Sequence, residues 1–387
     1  MTSKFDKIRP YNNDDLPSVL SSLVSNKEFI DTLVRFQFAN RPAFISPILA
    51  FLMKQFVSRK LDKVNTLVDF QRLVEPYMKK MIKNTTTSLS VSGLEGLDIS
   101  KPCLFISNHR DIALDPAFVN WVLHINGQNT VRIAVGDNLF DKNWVAELLR
   151  LNKCFVVERS VEGRREKLNA AKLLSEYMQQ SLQVDKQHLW IAQREGRAKD
   201  GIDKTNPAII SMLTLHKSKS TEFSEYVNNL RIVPVSISYE FDPCDANKAK
   251  ELQQSENEGG YEKPDNEDMR SIVNGITGRK GKVHVHFGKL VGSQFSSAKE
   301  VATFIDSEIL NGYQIFATSK VALDLLNAKQ SETNALADSK RTAYNAEYKV
   351  AYNYLNNKLM SLNPSEQHKL LQMYANPLLR QQQKRAR

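Results

Sequence analysis

The feature that most constrains this chain is the alternation through its middle, a little over half of its length. Between about 91 and 311, short apolar runs rich in β-branched residues recur at 104–106, 131–135, 155–157, 189–192, 232–237 and 283–287. Helical patterns lie between most of them, at 116–125, 144–151, 164–182 and 207–215. Strand followed by helix, repeated, predicts an α/β domain with a largely parallel central sheet and helices on its faces. In such sheets ligands sit beyond the C-terminal ends of the strands, so those ends are where chemistry is sought.

The flanks read differently. Residues 1–90 are helical with few strand signals. Within them Ser46-Pro47 offers a helix start. Ile48, Leu49, Phe51, Leu52, Phe56 and Val57 follow as a broad apolar face, with Lys54, Arg59, Lys60 and Lys63 beside and after it. The expectation is a helix packed on the body of the protein; a helix lying on an anionic membrane is the rival. A polar, charge-rich stretch at 242–282, containing Gly259-Gly260 and Asn274-Gly275, reads as a long loop or partly ordered insertion. Residues 312–387 form a helical extension ending in the basic tail Arg380-Gln381-Gln382-Gln383-Lys384-Arg385-Ala386-Arg387, read as a frayed end. The expected organisation is therefore a helical N-terminal region (1–90), an α/β domain (91–311) and a helical C-terminal extension (312–387).

Composition narrows the partners. Lysine and arginine exceed aspartate and glutamate by 10, which suits an acidic membrane surface, a phosphorylated substrate or nucleic acid. No nucleic-acid motif with interleaved aromatics accompanies that charge, so nucleic acid is not expected. Cys103, Cys154 and Cys244 are too few and too scattered for a disulfide framework or a zinc site, which points to a reducing, cytoplasmic setting. The first residues lack the apolar core of a signal peptide, and the apolar stretch at 45–57, interrupted by Lys54 and Gln55, is too short to span a bilayer. The expectation is a soluble protein or one in peripheral contact with an anionic membrane, on its inner face.

The most informative passage is Ser107-Asn108-His109-Arg110-Asp111-Ile112-Ala113-Leu114-Asp115-Pro116. It joins the end of one strand to the start of a helix, placing His109 where α/β sites form. A neutral imidazole there can take the proton of an attacking alcohol, and a carboxylate, Asp111 or Asp115, can fix its tautomer. Asp115 before Pro116 also has the look of a helix cap. His109-Arg110-Asp111 also opens a protein-kinase catalytic loop. That loop needs an Asn five residues after the Asp, where Pro116 stands, and no glycine-rich phosphate loop is present, so the kinase reading fails. His284 and His286 alternate on one strand face, but no third ligand lies near them, so no metal site is expected.

Three further strings follow the histidine loop in order: Phe155-Val156-Val157-Glu158-Arg159, then Ala192-Gln193-Arg194-Glu195-Gly196-Arg197-Ala198-Lys199, then Ile232-Val233-Pro234-Val235-Ser236. Together the four, over roughly 91–240, resemble the ordered blocks of the glycerol-3-phosphate and lysophosphatidate acyltransferase superfamily. The resemblance implies a catalytic role for His109 with Asp115 as its paired carboxylate, and an acceptor-phosphate role for Arg159. It also implies acceptor contacts from Glu195, Gly196 and Arg197, and an acyl-donor side shaped by Val233 and Pro234. Five residues lie between His109 and Asp115 where the family usually has four, which keeps Asp111 as the other candidate partner. The implied reaction moves a fatty acyl group from acyl-CoA or acyl carrier protein to a glycerol-phosphate hydroxyl, with no metal or redox cofactor. A basic, non-catalytic protein binding anionic lipid surfaces is the alternative, and substitution of His109 separates the two.

Overall fold

A computed structural model describes residues 4–38, 45–256, 260–264, 266–330 and 346–386. Gly259 of the polar stretch, residues 331–345 of the C-terminal extension and Arg387 of the tail lie outside the described residues. In chain order the helices and strands begin with α1 (Leu16–Ser25), α2 (Lys27–Gln37), α3 (Ser46–Leu61) and α4 (Leu67–Thr85). Then come β1 (Thr86–Ser92), β2 (Leu104–Ser107), α5 (Leu114–Ile125), β3 (Arg132–Gly136), α6 (Asn143–Leu151), β4 (Cys154–Val157) and α7 (Arg164–Gln183). Next are β5 (Leu189–Ala192), α8 (Pro207–Leu213), α9 (Phe223–Asn229), β6 (Ile232–Tyr239), α10 (Asp245–Ser255), α11 (Glu267–Thr277) and β7 (Gly281–Phe287). The chain closes with α12 (Ala298–Gly312), α13 (Ala317–Gln330), α14 (Ala346–Leu359) and α15 (Pro364–Arg385).

Two compact units emerge, Met1–Lys80 with Val131–Leu189, and Met81–Thr130 with Trp190–Arg387. In the second, β2 runs parallel to β6 (Leu104 opposite Ile232, Ser107 opposite Val235) and β1 runs parallel to β7. Between these pairs β6 and β7 are antiparallel, with Ile237 opposite Val285. The backbone N–H of Gln193, just past β5, reaches the Ser107 carbonyl at 2.8 Å, which sets the end of β5 beside that of β2. All four residues of β2 and all eight of β6 are buried, as a strand covered on both faces requires. Strand β6 continues through Pro234, whose carbonyl accepts the Gly288 N–H at 2.8 Å. In the first unit β3 and β4 are parallel, Val135 facing Val156. There Tyr177 of α7 lies 5.2 Å from Phe155 of β4, and Phe29 of α2 lies 5.8 Å from Trp144 of α6. The α/β class with a mostly parallel arrangement and helical additions is as the alternation predicts.

Three local expectations change. The segment 86–92, within the stretch read as helical, is the strand β1; its Thr-Thr-Ser-Leu-Ser-Val-Ser pattern carries too few apolar residues to announce itself. The polar stretch is not a loop, because it contains α10 and α11. Their inward residues are Asp245, Lys248 and Ala249 on one helix and Ser271 and Gly275 on the other, so no apolar stripe marks them. Ala249 joins a core of Val321, Leu326, Leu355, Leu370 and Leu371 from α13, α14 and α15. Finally, α3 does not bury its apolar face: Leu61 alone is buried, while Ile48, Phe51, Leu52 and Phe56 are between 51% and 62% exposed. Among the described residues no helix is long and apolar enough to cross a membrane.

Candidate active site

The site grows from the end of β2. Asn108 reaches β6 in both directions, its side-chain amide donating to the Ile237 carbonyl at 3.0 Å and its amide oxygen accepting the Ile237 N–H at 2.8 Å. This pair takes over the ladder where β2 stops and fixes the direction in which the chain leaves the sheet. Trp190 of β5 donates from its indole to Ser107 Oγ at 3.1 Å, and its ring meets the His109 imidazole edge-on at 5.8 Å. His109 is thereby held on one side by an aromatic wall.

On the other side stands Asp115. His109 Nδ1 lies 2.9 Å from Asp115 Oδ2, with the imidazole 15% exposed and the carboxylate fully buried. The same oxygen accepts the Arg110 and Asp111 backbone N–H groups at 2.6 and 2.9 Å. The other oxygen accepts the Tyr239 hydroxyl at 2.8 Å, from the last residue of β6. Four groups converge on this one side chain, which ties the imidazole, the loop backbone and β6 to a single carboxylate. With Asp115 accepting from Nδ1–H, Nε2 is the nitrogen left with a lone pair, and it belongs to the partly exposed ring.

The helix cap expected of Asp115 belongs instead to Asp111. Its Oδ1 accepts the Ala113 and Leu114 N–H groups at 3.0 and 2.9 Å, at the start of α5. Burial pushes the Asp111 carboxyl up to about 6, and the neighbouring Asp115 charge pushes the same way. Its backbone bonds and the Lys248 charge oppose both, without prevailing. Arg110, between the two, points away from the imidazole. It pairs with Asp203 at 2.6 Å, donates to the Gly201 carbonyl at 3.2 Å, and lies over the Tyr313 ring.

The Glu195-Gly196-Arg197 turn follows β5 and is tied to the histidine loop by the Ala198 N–H, which donates to the His109 carbonyl at 2.8 Å. Glu195 and Gly196 are exposed, and Gly196 takes a φ of +71° that favours glycine. Arg197 is half-buried: Nη2 donates to Ser271 Oγ of α11 at 3.3 Å, while Nη1 is buried with no hydrogen-bond partner. Lys199 pairs with Glu251 of α10. Burial, helped by the Arg197 charge, lowers its amine to about 8. Helix α10 also sends Lys248, which is buried, to the Arg110 carbonyl at 2.6 Å and to Asp242. The C-terminal helices brace α10 from behind, since Tyr354, Tyr374 and Lys358 all reach the Asp245 carboxylate at 2.7–2.9 Å.

His109, Asp115, Glu195, Gly196 and Arg197 thus share the second unit. Arg159 belongs to the first, exposed at the end of β4, where its backbone N–H donates to Asp137 at 3.0 Å and its guanidinium lies over Gly136. Asn108, Tyr239 and Lys248 were not singled out as site residues by the sequence. Only the position of Asn108 beside His109 and of Tyr239 at a strand's end carried any signal. His284 and His286 lie side by side, and their ring nitrogens meet Ser90 and Ser92 at 2.7–3.0 Å. Among the described residues no cluster of three or more His, Cys, Asp or Glu could hold a metal ion.

Residues 88–238 match the family model described as Acyltransferase, a span that runs from β1 through the histidine loop to the end of β6. Among solved structures, the chain is similar to the 1-acyl-sn-glycerophosphate (LPA) acyltransferase PlsC from Thermotoga maritima at 14% identity, covering 78% of this chain and 94% of that one, with a TM-score of 0.35. No curated protein matches the chain.

Proposed function

We propose that this chain, whose residues 88–238 match the family model described as Acyltransferase, moves a fatty acyl group from an acyl thioester to a hydroxyl of glycerol 3-phosphate or lysophosphatidate. The observation that carries the reading is the contact of 2.9 Å between His109 Nδ1 and the buried Asp115, with the imidazole itself partly open. The acceptor hydroxyl gives its proton to His109 Nε2 as its oxygen attacks the thioester carbonyl. The new C–O bond forms, the C–S bond breaks, and the imidazolium returns the proton to the departing thiolate. Asp115 holds the ring in the productive tautomer and stabilises its charged form during the transfer. The acceptor serves as nucleophile directly, so no covalent enzyme intermediate and no metal or redox cofactor is invoked.

Cations recognise the acceptor phosphate. Arg197 is suited to it because its buried Nη1 has a donor to spare, and a guanidinium can engage two phosphate oxygens at once. Arg159 is assigned the same partner from the second block, and Glu195 and Gly196 the acceptor hydroxyls and backbone approach. The donor is acyl-CoA or acyl carrier protein, and the setting is phospholipid synthesis at a membrane surface that the protein touches peripherally, from the cytoplasmic side.

The test is thiol release from acyl-CoA or acyl carrier protein, with glycerol 3-phosphate and lysophosphatidate offered separately to wild type and His109→Ala. Acceptor-dependent release in the wild type, falling by about a hundredfold or more in a folded mutant, is expected. Equal rates in the two proteins refute general-base catalysis by His109, and silence from both with every donor favours a non-catalytic lipid-binding protein.

A further inference from the structure

We infer that α3 is the surface by which this protein docks on an anionic phospholipid bilayer. Ile48, Phe51, Leu52 and Phe56 recur at helical spacing along one side of α3, and each is more than half exposed. A soluble protein rarely leaves several large side chains aligned in water without use, because each forfeits the gain of taking its remaining apolar surface out of water. The stripe does not end in neutral surface. It runs into Arg59, Lys60 and Lys63, which with Phe56 and Asp62 line an open groove of about 470 Å³. Lys60 folds its amine over the Phe56 ring, 5.7 Å from the centroid, so cation and aromatic share one site.

This combination selects among occupants. A partner protein or a second copy could cover the apolar stripe. The end of the helix, however, presents three cations against the single acid Asp62 and needs a surface carrying many negative groups. An anionic bilayer supplies both at once, its acyl boundary for the phenylalanines and its phosphates for the basic end. Lysine and arginine stems reach outward to headgroups while the apolar side sinks in. The inference rests on the acyltransferase reading only in choosing a phospholipid surface, and its test measures binding without catalysis.

The full chain is floated with phosphatidylcholine vesicles, with and without phosphatidylglycerol, as wild type, as Phe51→Ser/Phe56→Ser and as Lys60→Glu. Wild type is expected to float with the anionic vesicles, weakly with the neutral ones, and less as salt rises. The double serine variant should lose partition by at least about a hundredfold. Lys60→Glu should lose about thirtyfold, two unit charges at about fivefold each. Because these side chains are exposed, unfolding midpoints should stay put, and Lys60→Glu still decides if the double variant misfolds. Failure of the wild type to float, or flotation of both variants at the wild-type level, overturns the inference. So does self-association that the serine variant abolishes while vesicle binding persists, since a second copy then owns the face.

Discussion

Replacing Asp111 by asparagine separates the two carboxylates of the histidine loop. Asp111 is buried against α11, so close that a Cβ on Gly275 would stand 2.3 Å from its Oδ2. Burial first, and the Asp115 charge second, raise its folded pKa from 3.8 to about 6. A raised carboxyl favours the neutral form, so the stability it contributes is full below pH 3.8 and is lost as pH climbs through about 6. At about 1.4 kcal/mol per unit, the wild type at neutral pH forgoes about 3 kcal/mol. Asparagine keeps the oxygen that caps Ala113 and Leu114 and never ionises. Its amide, standing where Oδ2 was, has no evident acceptor, which costs about 1 kcal/mol. Asp111→Asn should therefore be more stable than wild type by about 2 kcal/mol at pH about 8, with no advantage at pH about 4. Urea denaturation of both proteins across that range measures the gap. A gap independent of pH, or a wild type that is the more stable at the alkaline end, refutes the argument. Thiol release should survive the substitution, because Asp115 and not Asp111 meets the imidazole.

Two more substitutions test the supports of the site. Lys248→Met strands the partly buried Asp242 and frees the Arg110 carbonyl. It should lower stability by about 3–5 kcal/mol, read as a fall in the thermal midpoint, and an unchanged midpoint refutes the buried pair. Tyr239→Phe removes the donor on Asp115 Oδ1. It should cost about 1–3 kcal/mol of stability and slow acyl transfer by about tenfold, and an unaltered rate removes Tyr239 from the support of the dyad.

What could be read in advance was whatever carries an apolar period or a compact motif. The runs that became β2, β4, β5 and β6 are buried on nearly every residue, β7 buries every second one, and all announce themselves; the histidine loop sits between two of the clearest signals in the chain. Strand β1 and helices α10 and α11 were illegible for a common reason. Serines and threonines line the first, and charged or small residues such as Lys248, Asp245 and Gly275 face inward on the helices. Their burial is made acceptable by partners distant in sequence, among them Arg110, Tyr354 and Tyr374. The apolar stripe of α3 misled in the opposite sense, since periodicity reports amphipathicity and not what covers the face.

The extra residue between His109 and Asp115 shows how such a departure is absorbed. A longer loop would ordinarily carry the carboxylate past the imidazole. Here the Arg110 and Asp111 N–H groups both turn onto Asp115 Oδ2, wrapping the loop around the group that the histidine needs. The work of starting α5 falls to Asp111, one turn earlier. Arg110 is drawn out of the site by Asp203 and the Gly201 carbonyl, and its own carbonyl is held by Lys248 from α10. Each of these bonds fixes a loop residue without using the imidazole. The polar stretch once read as a loose insertion is therefore part of what keeps His109 and Asp115 in register, with the C-terminal helices bracing it through Asp245. On that account residues 88–238 cannot be cut from the C-terminal helices without loosening the pairing of His109 with Asp115.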